Sequence, residues 1–340
     1  MPLPSLSRLA GALTGVLVLL ATPLPAAATA GPDAETPLAV TGYALPSLRP
    51  ALVRRDAHGL ATLTVVGTML SPGGDGVSRP TAEVRRLREV AHRQGLRAEL
   101  LLSNWSNALG RFDRRAAHRL LRSRAHVRTV SRQLARRVVA QSWDGVNVDL
   151  EGLRPTDGDG LVLLVRRLQR RMPPGREVSV DVSARTTLRG YRAAGYRLGE
   201  LGRAADVLQL MAYDQHGPTW SDPGPVGARA WQRQSLAAML RRVPAGRIDL
   251  GVAGYGYTWP PEGAGREGRS VTVAGARRRV RADGAEAVWR PKAGEWRARL
   301  SDGTVLWWSD RRSLRLRHRL ADERGLHGLA LWRLGSADPL

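Results

Sequence analysis

The 340-residue sequence contains no cysteine. This absence excludes disulfide bonds, a thiolate nucleophile and a cysteine-based metal site. Phenylalanine is also nearly absent, with Phe112 as its one occurrence, whereas tryptophan occurs 10 times and tyrosine 6 times. Because tryptophan and tyrosine join a polar atom to an apolar ring, they suit amphipathic roles such as stacking against sugars.

Three further signatures are missing from the sequence: a zinc-ligand pattern, a Gly-rich phosphate loop and a Gly-x-Ser-x-Gly nucleophile elbow. We therefore predict that the protein uses no metal ion and no cofactor. His216 is the one histidine that directly follows a predicted strand. We interpret it as a hydrogen-bonding group of a loop.

Lysine is almost absent too, so the formal net charge of +23 comes from arginine, with Lys292 as the one exception. So strong a bias, with abundant Ala, Gly, Leu and Val, is typical of GC-rich coding. Such a surface nevertheless attracts anionic polymers. The arginines are spread over every predicted helix and do not form one stripe with interleaved aromatics, which argues against specific nucleic-acid binding. We expect electrostatic retention on an anionic cell wall instead.

The N-terminal segment resembles an export signal. After Arg8 come the apolar run "LAGALTGVLVLLATPL" and the small-residue segment "PAAATAGPD". This order is typical of a secretory signal peptide with cleavage near Ala28 or Ala30, and a retained membrane anchor is the alternative. We predict a signal peptide over residues 1–30 and a secreted or cell-wall-associated monomer over residues 31–340.

The remaining chain alternates short apolar runs with segments of helical periodicity. The eight predicted strands are "PLAVTGYALP", "LATLTVVGTML", "RAELLLSNW", "WDGVNVDLEG", "EVSVDVSA", "DVLQLMAYD", "IDLGVAGYGYTW" and "LHGLALWRLG". Eightfold alternation predicts an α/β fold, a closed (β/α)8 TIM barrel, and a doubly wound open sheet is the alternative. Residues from about 260 to 308 show β-like pieces without a long helical stretch. We expect there a small β-rich insertion after the seventh strand, beside the barrel mouth.

The fourth predicted strand carries the most informative pattern. In "WDGVNVDLEGL", Asn147, Asp149 and Glu151 alternate with apolar residues. Alternate side chains of a barrel strand point into the lumen, so these three are expected inside, with Glu151 nearest the C-terminal end where barrel enzymes carry out chemistry. Asp149 and Glu151 lie roughly 6–7 Å apart along the backbone. Since two neighbouring carboxyls do not both ionise easily, one is expected to hold a proton near neutral pH and to serve as a general acid.

Four motifs together resemble family 18 of the glycoside hydrolases, the chitinase-like barrels. "DGVNVDLE" is similar to the family's Asp-Gly-x-x-x-Asp-x-Glu signature, and "LMAYDQHGP" to its Met-x-Tyr-Asp strand. "LGVAGYGYTW" and "GLALWRLG" resemble its Tyr-Gly strand and its last strand. With "WWSD" before the last helix, the sequence is most similar to the bacterial branch of spore-cortex and cell-wall lytic glucosaminidases.

The resemblance implies retaining, substrate-assisted hydrolysis of N-acetylglucosamine-containing polysaccharides, either peptidoglycan or chitin oligomers, in which the 2-acetamido carbonyl of the substrate attacks the anomeric carbon. Glu151 is expected to protonate the leaving oxygen and then to activate water. The resemblance assigns Asp149 to the acetamido N–H and Tyr213 to the acetamido oxygen. A non-catalytic glycan-binding barrel and a secreted polyanion binder are the alternative functions.

The resemblance also implies a set of substrate-binding residues. Asp214 is expected to position the sugar, and Met211 and Trp332 to shape the site around it. Four further residues near strand ends are candidates either for sugar contacts or for barrel packing: Tyr43, Asn104, Tyr255 and Tyr257.

The sequence departs from the chitinase pattern at two positions. Asn147 stands where many chitinases carry a third Asp, and Leu150 stands where an aromatic residue is usual. We assign Asn147 to the substrate site and expect its neutral amide to let Asp149 ionise more readily. This substitution and the low aromatic content favour short or cell-wall glycans over long chitin chains.

Overall fold

The computed structural model describes residues 38–265 and 267–340. The predicted signal peptide over residues 1–30 lies outside them. The strands are β1 (Ala39–Ala44), β2 (Thr62–Met69), β3 (Arg97–Ser103), β4 (Trp105–Ser106), β5 (Arg111–Phe112), β6 (Gly145–Asp149), β7 (Glu177–Ser183), β8 (Val207–Met211), β9 (Ile248–Ala253), β10 (Tyr255–Trp259), β11 (Ser270–Thr272), β12 (Val288–Arg290), β13 (Glu295–Arg299), β14 (Val305–Trp308) and β15 (Gly328–Trp332).

Ten α-helices occur in the described residues. They are α1 (Pro50–Asp56), α2 (Ala82–Arg93), α3 (Arg114–Arg122), α4 (Arg124–Ala140), α5 (Gly158–Gln169), α6 (Leu188–Ala193), α7 (Leu198–Ala204), α8 (Arg229–Leu240), α9 (Val273–Asp283) and α10 (Arg311–Glu323). None of the helices in this part of the chain is long and apolar enough to cross a membrane.

Eight parallel strands close into a barrel in the order β1-β15-β9-β8-β7-β6-β3-β2. These eight are the strands that the sequence analysis predicts, so the (β/α)8 barrel is confirmed and the open-sheet alternative is wrong. The side chains of β6 alternate between the barrel interior and the helices as expected. Val146 and Val148 join the large core shared with the helices, whereas the amide of Asn147 contacts Asp181 of the neighbouring strand inside the barrel.

The helical segment between β5 and β6 divides into α3 and α4 at Ser123. The backbone of Ser123 is extended, and its side chain accepts a hydrogen bond from the backbone N–H of His126 at 3.2 Å. A serine in this position is a favoured helix N-cap, because its oxygen satisfies one of the free N–H groups of the first turn. The new helix axis therefore begins at this residue.

The segment after the seventh barrel strand is a five-stranded antiparallel sheet in the order β11-β10-β14-β13-β12. It begins at Tyr255, earlier than the sequence analysis expects, since the predicted seventh strand is divided between β9 and β10. The segment also contains α9, an eleven-residue helix that was not predicted. Its buried face consists of Val273, Ala276 and Val280 amid arginines, so its apolar periodicity is weak in the sequence.

Candidate active site

The carboxyl ends of the barrel strands bring together the polar residues of several sequence motifs. Asp149 is the last residue of β6, and Glu151 follows two residues later. Met211 ends β8 and Trp332 ends β15. In barrels of this kind the C-terminal face is where catalytic residues lie. This face of the barrel is therefore the candidate active site.

The side-chain amide of Asn104 holds the backbone of Glu151 through two hydrogen bonds. The Glu151 N–H donates to Oδ1 of Asn104 at 2.8 Å, and its carbonyl accepts from Nδ2 of Asn104 at 3.0 Å. Asn104 lies directly after β3, the neighbouring strand in the barrel. The paired hydrogen bonds hold the Glu151 backbone to the rim, so that its half-buried side chain starts from a defined position.

The environment of the Glu151 carboxyl favours its protonated form. Burial, followed by the negative charges of Asp181 and Asp214, raises its pKa to about 7, and the positive charge of Arg185 opposes this rise. A carboxyl with this pKa holds a proton at neutral pH and can still release it. Glu151 thus has the proton affinity of a general acid.

Asp149 is 9% exposed and lies below Glu151, at the end of β6. Its Oδ2 accepts a long hydrogen bond from Oγ of Ser103 at 3.4 Å, and its buried Oδ1 has no hydrogen-bond partner among the described residues. Burial and the charge of Glu151 raise the pKa of Asp149 well above its usual value. A buried carboxyl oxygen without a partner is costly, so Oδ1 is the unfilled acceptor of the site.

A polar network lies beneath Asp149. The Nδ2 of Asn147 donates to Oδ1 of Asp181 at 2.9 Å and to Oγ of Ser179 at 3.0 Å. The hydroxyl of Tyr43 donates to the same Asp181 oxygen at 2.6 Å and also contacts Oε1 of Gln209. Burial and the charge of Asp149 raise the pKa of Asp181, while the two donors favour its ionised form.

The network continues towards the opposite end of the barrel. Glu99 accepts from Oγ1 of Thr64 at 2.9 Å and from Oγ of Ser179 at 3.1 Å, and burial raises its pKa to about 8. On the other side, Asp249 pairs with Nδ1 of His327 at 2.7 Å. The barrel lumen is therefore filled by hydrogen-bonded polar groups from the site to the N-terminal strand ends.

Aromatic residues form the second side of the site. Tyr213 packs edge-to-face against Tyr255 with ring centroids 6.5 Å apart, in a cluster that also includes Trp332. The Asp214 carboxylate accepts from the hydroxyls of Tyr255 and Tyr257, the latter at 2.8 Å. Asp214 has a φ of 57°. Non-glycine residues adopt this left-handed conformation rarely, and such strain concentrates at functional sites.

The structure buries three of the candidate substrate-binding residues. Tyr43 and Asn104 are each 1% exposed and Asn147 is 0% exposed. The side chains of all three form hydrogen bonds with neighbours inside the barrel or at its rim. These residues therefore support the site from below. By contrast, Glu151, Met211, Tyr213, Asp214 and Trp332 keep surface at the mouth.

The two tyrosines of β10 are also buried, and their hydroxyls bind a protein carboxylate. Tyr255 is 5% exposed and Tyr257 is 9% exposed, and both hydroxyls contact Asp214. They belong to the insertion sheet, so this sheet holds Asp214 in place at the edge of the barrel. Their role in the geometry is to orient a carboxylate.

Asp181 is the main residue that the sequence analysis misses. It lies on β7, whose segment "EVSVDVS" alternates polar residues with valine in the same way as "VNVDLE" on β6. That alternation is the signal that could have identified it. The expectation that the neutral Asn147 amide lets Asp149 ionise more readily took no account of the Asp181 carboxyl, which accepts from the Asn147 amide.

Two exposed tryptophans on the same face were also missed. Trp105 is 37% exposed and follows Asn104, and Trp220 is 53% exposed and packs edge-to-face on Tyr257 at 5.7 Å. Their loops follow β3 and β8, which lie on either side of β6 in the barrel order. No motif marks them, since their role depends only on exposure at the mouth.

No group of three or more His, Cys, Asp or Glu side chains within residues 38–265 and 267–340 is arranged to hold a metal ion. The carboxyls of the site instead interact with hydroxyl and amide donors. The chemistry available to this arrangement is proton transfer and charge stabilisation.

Residues 68–337 match the family model described as Glycosyl hydrolases family 18. Among curated proteins, the chain is similar to "Uncharacterized glycosylase YvbX" from Bacillus subtilis, with 22% identity over 256 residues, which are 72% of this chain and 73% of YvbX. Three further curated relatives are matched over between 45% and 55% of their own length.

The fold is similar to those of solved structures. The spore cortex-lytic enzyme SleL from Bacillus cereus superposes with a TM-score of 0.78 at 18% identity, over 88% of this chain and 71% of SleL. A chitinase from Chromobacterium violaceum gives a TM-score of 0.79 at 25% identity, over 88% of this chain and 95% of the chitinase. The likeness to SleL concerns the fold alone.

A charge exchange tests the electrostatic relation between Asn147 and Asp181. The variant Asn147→Asp places a second carboxyl at the 2.9 Å contact with Asp181, so we expect a loss of about 3 kcal/mol in the free energy of unfolding at neutral pH. The exchange Asn147→Asp/Asp181→Asn keeps one carboxyl and one amide and should recover most of this loss. Urea denaturation monitored by circular dichroism measures both values.

Asn107→Asp is the matched control for this exchange. It adds the same charge at an exposed loop position, where we expect a change within roughly 0.5 kcal/mol. If the single buried substitution were as mild as the control, or if the exchange were as unstable as Asn147→Asp, the two positions would not share one buried charge.

Proposed function

The chain is a glycoside hydrolase of family 18, and we propose that it cleaves β-1,4 bonds after N-acetylglucosamine in peptidoglycan or chitin-type glycans with retention of configuration. The observation that carries this proposal is the pair of carboxyls at the barrel mouth. Glu151 has a pKa of about 7, and Asp149 beneath it offers a buried oxygen without a partner. One group can donate a proton, and the other can accept a hydrogen bond from the substrate.

Glu151 acts as the general acid and then as the general base. It protonates the glycosidic oxygen while the bond breaks, and the resulting carboxylate takes a proton from the water that attacks next. The Asn104 clamp supports this role, because it fixes the backbone from which the carboxyl extends. The half-buried position keeps the proton on Glu151 until the substrate arrives.

Asp149 assists the internal nucleophile of the substrate. The carbonyl oxygen of the 2-acetamido group attacks the anomeric carbon and forms a cyclic oxazolinium ion, which water then opens with overall retention. The Asp149 Oδ1 accepts the acetamido N–H, which holds the acetamido group, and the positive charge that develops on it, beside the Asp149 carboxyl. This contact satisfies a buried oxygen that has no hydrogen-bond partner among the described residues.

Four residues at the mouth complete the sugar site. Tyr213 donates its hydroxyl to the acetamido oxygen, and Asp214, held by the β10 tyrosines, accepts from a sugar hydroxyl. Met211 and Trp332 end their strands at the same face and provide the apolar floor. A stacked ring and a few directed polar groups are the usual means of holding a sugar.

Of the two glycans, we favour peptidoglycan of the cell wall as the substrate. The aromatic content is 5%, and only Trp105 and Trp220 add exposed tryptophan surface near the described site. A short aromatic platform suits short or soluble glycans better than a long crystalline chitin chain. The fold likeness to SleL, a spore cortex-lytic enzyme, is consistent with this choice.

Export to the cell wall is part of the same proposal. The N-terminal sequence has the order of a secretory signal, and the net charge of +23 favours retention on an anionic wall after export. An enzyme acting on peptidoglycan has its substrate in this compartment. Secretion of the full-length chain with a processed N-terminus near Ala28 or Ala30 is the measurement that checks this step.

Product analysis tests the substrate. Peptidoglycan and chitin oligomers are digested side by side, and the products are reduced and identified by mass spectrometry. We expect fragments that end in reduced N-acetylglucosamine from peptidoglycan. Fragments ending in reduced N-acetylmuramic acid would overturn the bond assignment, and binding to either glycan without any cleavage would favour a non-catalytic glycan-binding barrel.

Substitution of Glu151 tests the mechanism. Glu151→Gln removes the transferable proton with little change in shape, so kcat on a soluble oligomer should fall by roughly 10²–10⁴-fold. In the unaltered protein, kcat/KM should decline as the pH rises through about 7, because the free enzyme then loses the Glu151 proton. Glu286→Gln, at an exposed position, is the control; equal turnover in both variants would contradict the role of Glu151.

Substitution of Trp220 tests the sugar-stacking surface. Trp220→Ala should raise KM for a long oligomer by roughly three- to tenfold, the value of one lost aromatic contact, and leave KM for the shortest cleaved substrate nearly unchanged. Val139→Ala removes another exposed apolar side chain, on α4, and should change neither value. A uniform effect of Trp220→Ala on all substrate lengths would show that Trp220 only stabilises the loop.

A further inference from the structure

A surface cleft of about 330 Å³ lies between α10, the start of α8 and the β12–β13 end of the insertion sheet. It shares no residue with the candidate active site. Four arginines line it, namely Arg229, Arg312, Arg315 and Arg319, and no acidic residue does. Two larger arginine-lined clefts differ in this respect, because Glu200 lines both of them.

The arginines of the cleft form no ion pair among the described residues. Arg312, Arg315 and Arg319 repeat at helical spacing on one face of α10 and are exposed. Among the described residues, no carboxylate pairs with any of these three or with Arg229, although other arginines of the chain do form such pairs. Like charges three or four residues apart on a helix destabilise it. The cluster therefore has an electrostatic cost that no carboxylate among the described residues offsets.

Arg312 is oriented by aromatic residues. Its guanidinium lies over the ring of Trp289, 4.1 Å from the centroid, and 5.8 Å from the centroid of Trp296. Stacking engages the flat face of a guanidinium and leaves the N–H groups on its edge free to donate. The cleft thus holds one pre-oriented cationic fork among three further arginines.

We propose that this cleft binds the phosphate groups of an anionic polyol-phosphate polymer. The guanidinium fork matches two phosphate oxygens at once, which accounts for arginine without any carboxylate in the lining. The row from Arg312 to Arg319 is about 10 Å long. That length exceeds a single phosphate group, so a chain of repeated phosphodiesters engages more of the row than an isolated ion does.

The geometry favours a polyol-phosphate chain over a nucleic acid. Binding of single-stranded nucleic acid relies on aromatic faces on which bases stack. The face of Trp289 is covered by Arg312, and none of the chain's five most exposed large apolar side chains in the described residues lies in this cleft. The cleft therefore offers phosphate recognition without base stacking.

The test is a titration of the full chain with poly(glycerol phosphate), with polyglutamate of equal charge, with single-stranded DNA and with inorganic phosphate, followed by calorimetry. We expect poly(glycerol phosphate) to bind more tightly than the other three. The variant Arg315→Ala/Arg319→Ala should lower this affinity by about tenfold. If polyglutamate or DNA bound as tightly as poly(glycerol phosphate), the proposed ligand class would be wrong. If inorganic phosphate bound more tightly than the polymer, the proposal that the cleft recognises a polymer would be wrong.

A second pair of arginines is the matched control. Arg128 and Arg132 are also exposed, four residues apart, on α4. Arg128→Ala/Arg132→Ala removes the same charge and should change the affinity less than twofold. Equal losses of affinity in the two alanine variants would show that the net charge of the whole protein binds the polymer. This result would contradict the cleft as the binding site.

A charge-conserving variant separates the guanidinium fork from its charge. Arg315→Lys/Arg319→Lys keeps the net charge but loses the bidentate donors, so we expect about a threefold loss of affinity for poly(glycerol phosphate). If the alanine variant proves unstable in thermal unfolding, the lysine variant replaces it in the binding test. Unchanged binding by the lysine variant would contradict recognition by the fork.

Discussion

The site depends on one constraint: the polar groups inside the barrel must satisfy one another. Barrels of this class are usually filled by bulky branched apolar residues. Here the lumen instead contains buried glutamate, aspartate and amide side chains. The buried polar residues of the barrel strands include Thr64, Glu99, Asn147, Ser179, Asp181, Gln209 and Asp249. Each has a hydrogen bond to another member or to Tyr43 or His327. Because an unsatisfied group here costs about 1–3 kcal/mol, the network specifies which strand residues face inwards.

The network also explains how the chain accommodates an amide at position 147. Asn147 donates to Asp181, so the amide is the donor that a buried carboxylate on the next strand requires. A carboxyl at both positions would place two negative charges at hydrogen-bond distance, and one of them would have to be neutralised. The negative charge below Asp149 is therefore carried by β7 and not by β6. Only the pairing of strands in space makes this exchange visible, since the two residues are 34 positions apart in the chain.

Strand alternation made the barrel and part of the site predictable. The eight strands were predicted from apolar runs, and Glu151 and Asp149 from their i, i+2 spacing at the end of one of them. The same reasoning applied to "EVSVDVS" would have identified Asp181. Side-chain exposure could not be predicted in this way: Tyr43 and Asn104 lie near strand ends, yet they are each 1% exposed, because neighbouring strands cover them. The helix α9 was missed because a sequence of small residues and arginines leaves only three apolar positions to mark its face.

The position of Glu151 suits the acid role that we propose for it, because an acid that must hold and transfer a proton faces two opposing requirements. A carboxyl deep in the lumen, such as Asp181 at 3% exposure, has its pKa raised by burial but has no access to a substrate. A carboxyl on the outer surface is accessible, but water stabilises its charged form and it ionises at its usual pKa. Only a residue at the rim combines partial burial with access. The inward positions of β6 continue from Asn147 through Asp149 to that rim, so the alternation that fills the barrel also places the next carboxyl where it can work as an acid.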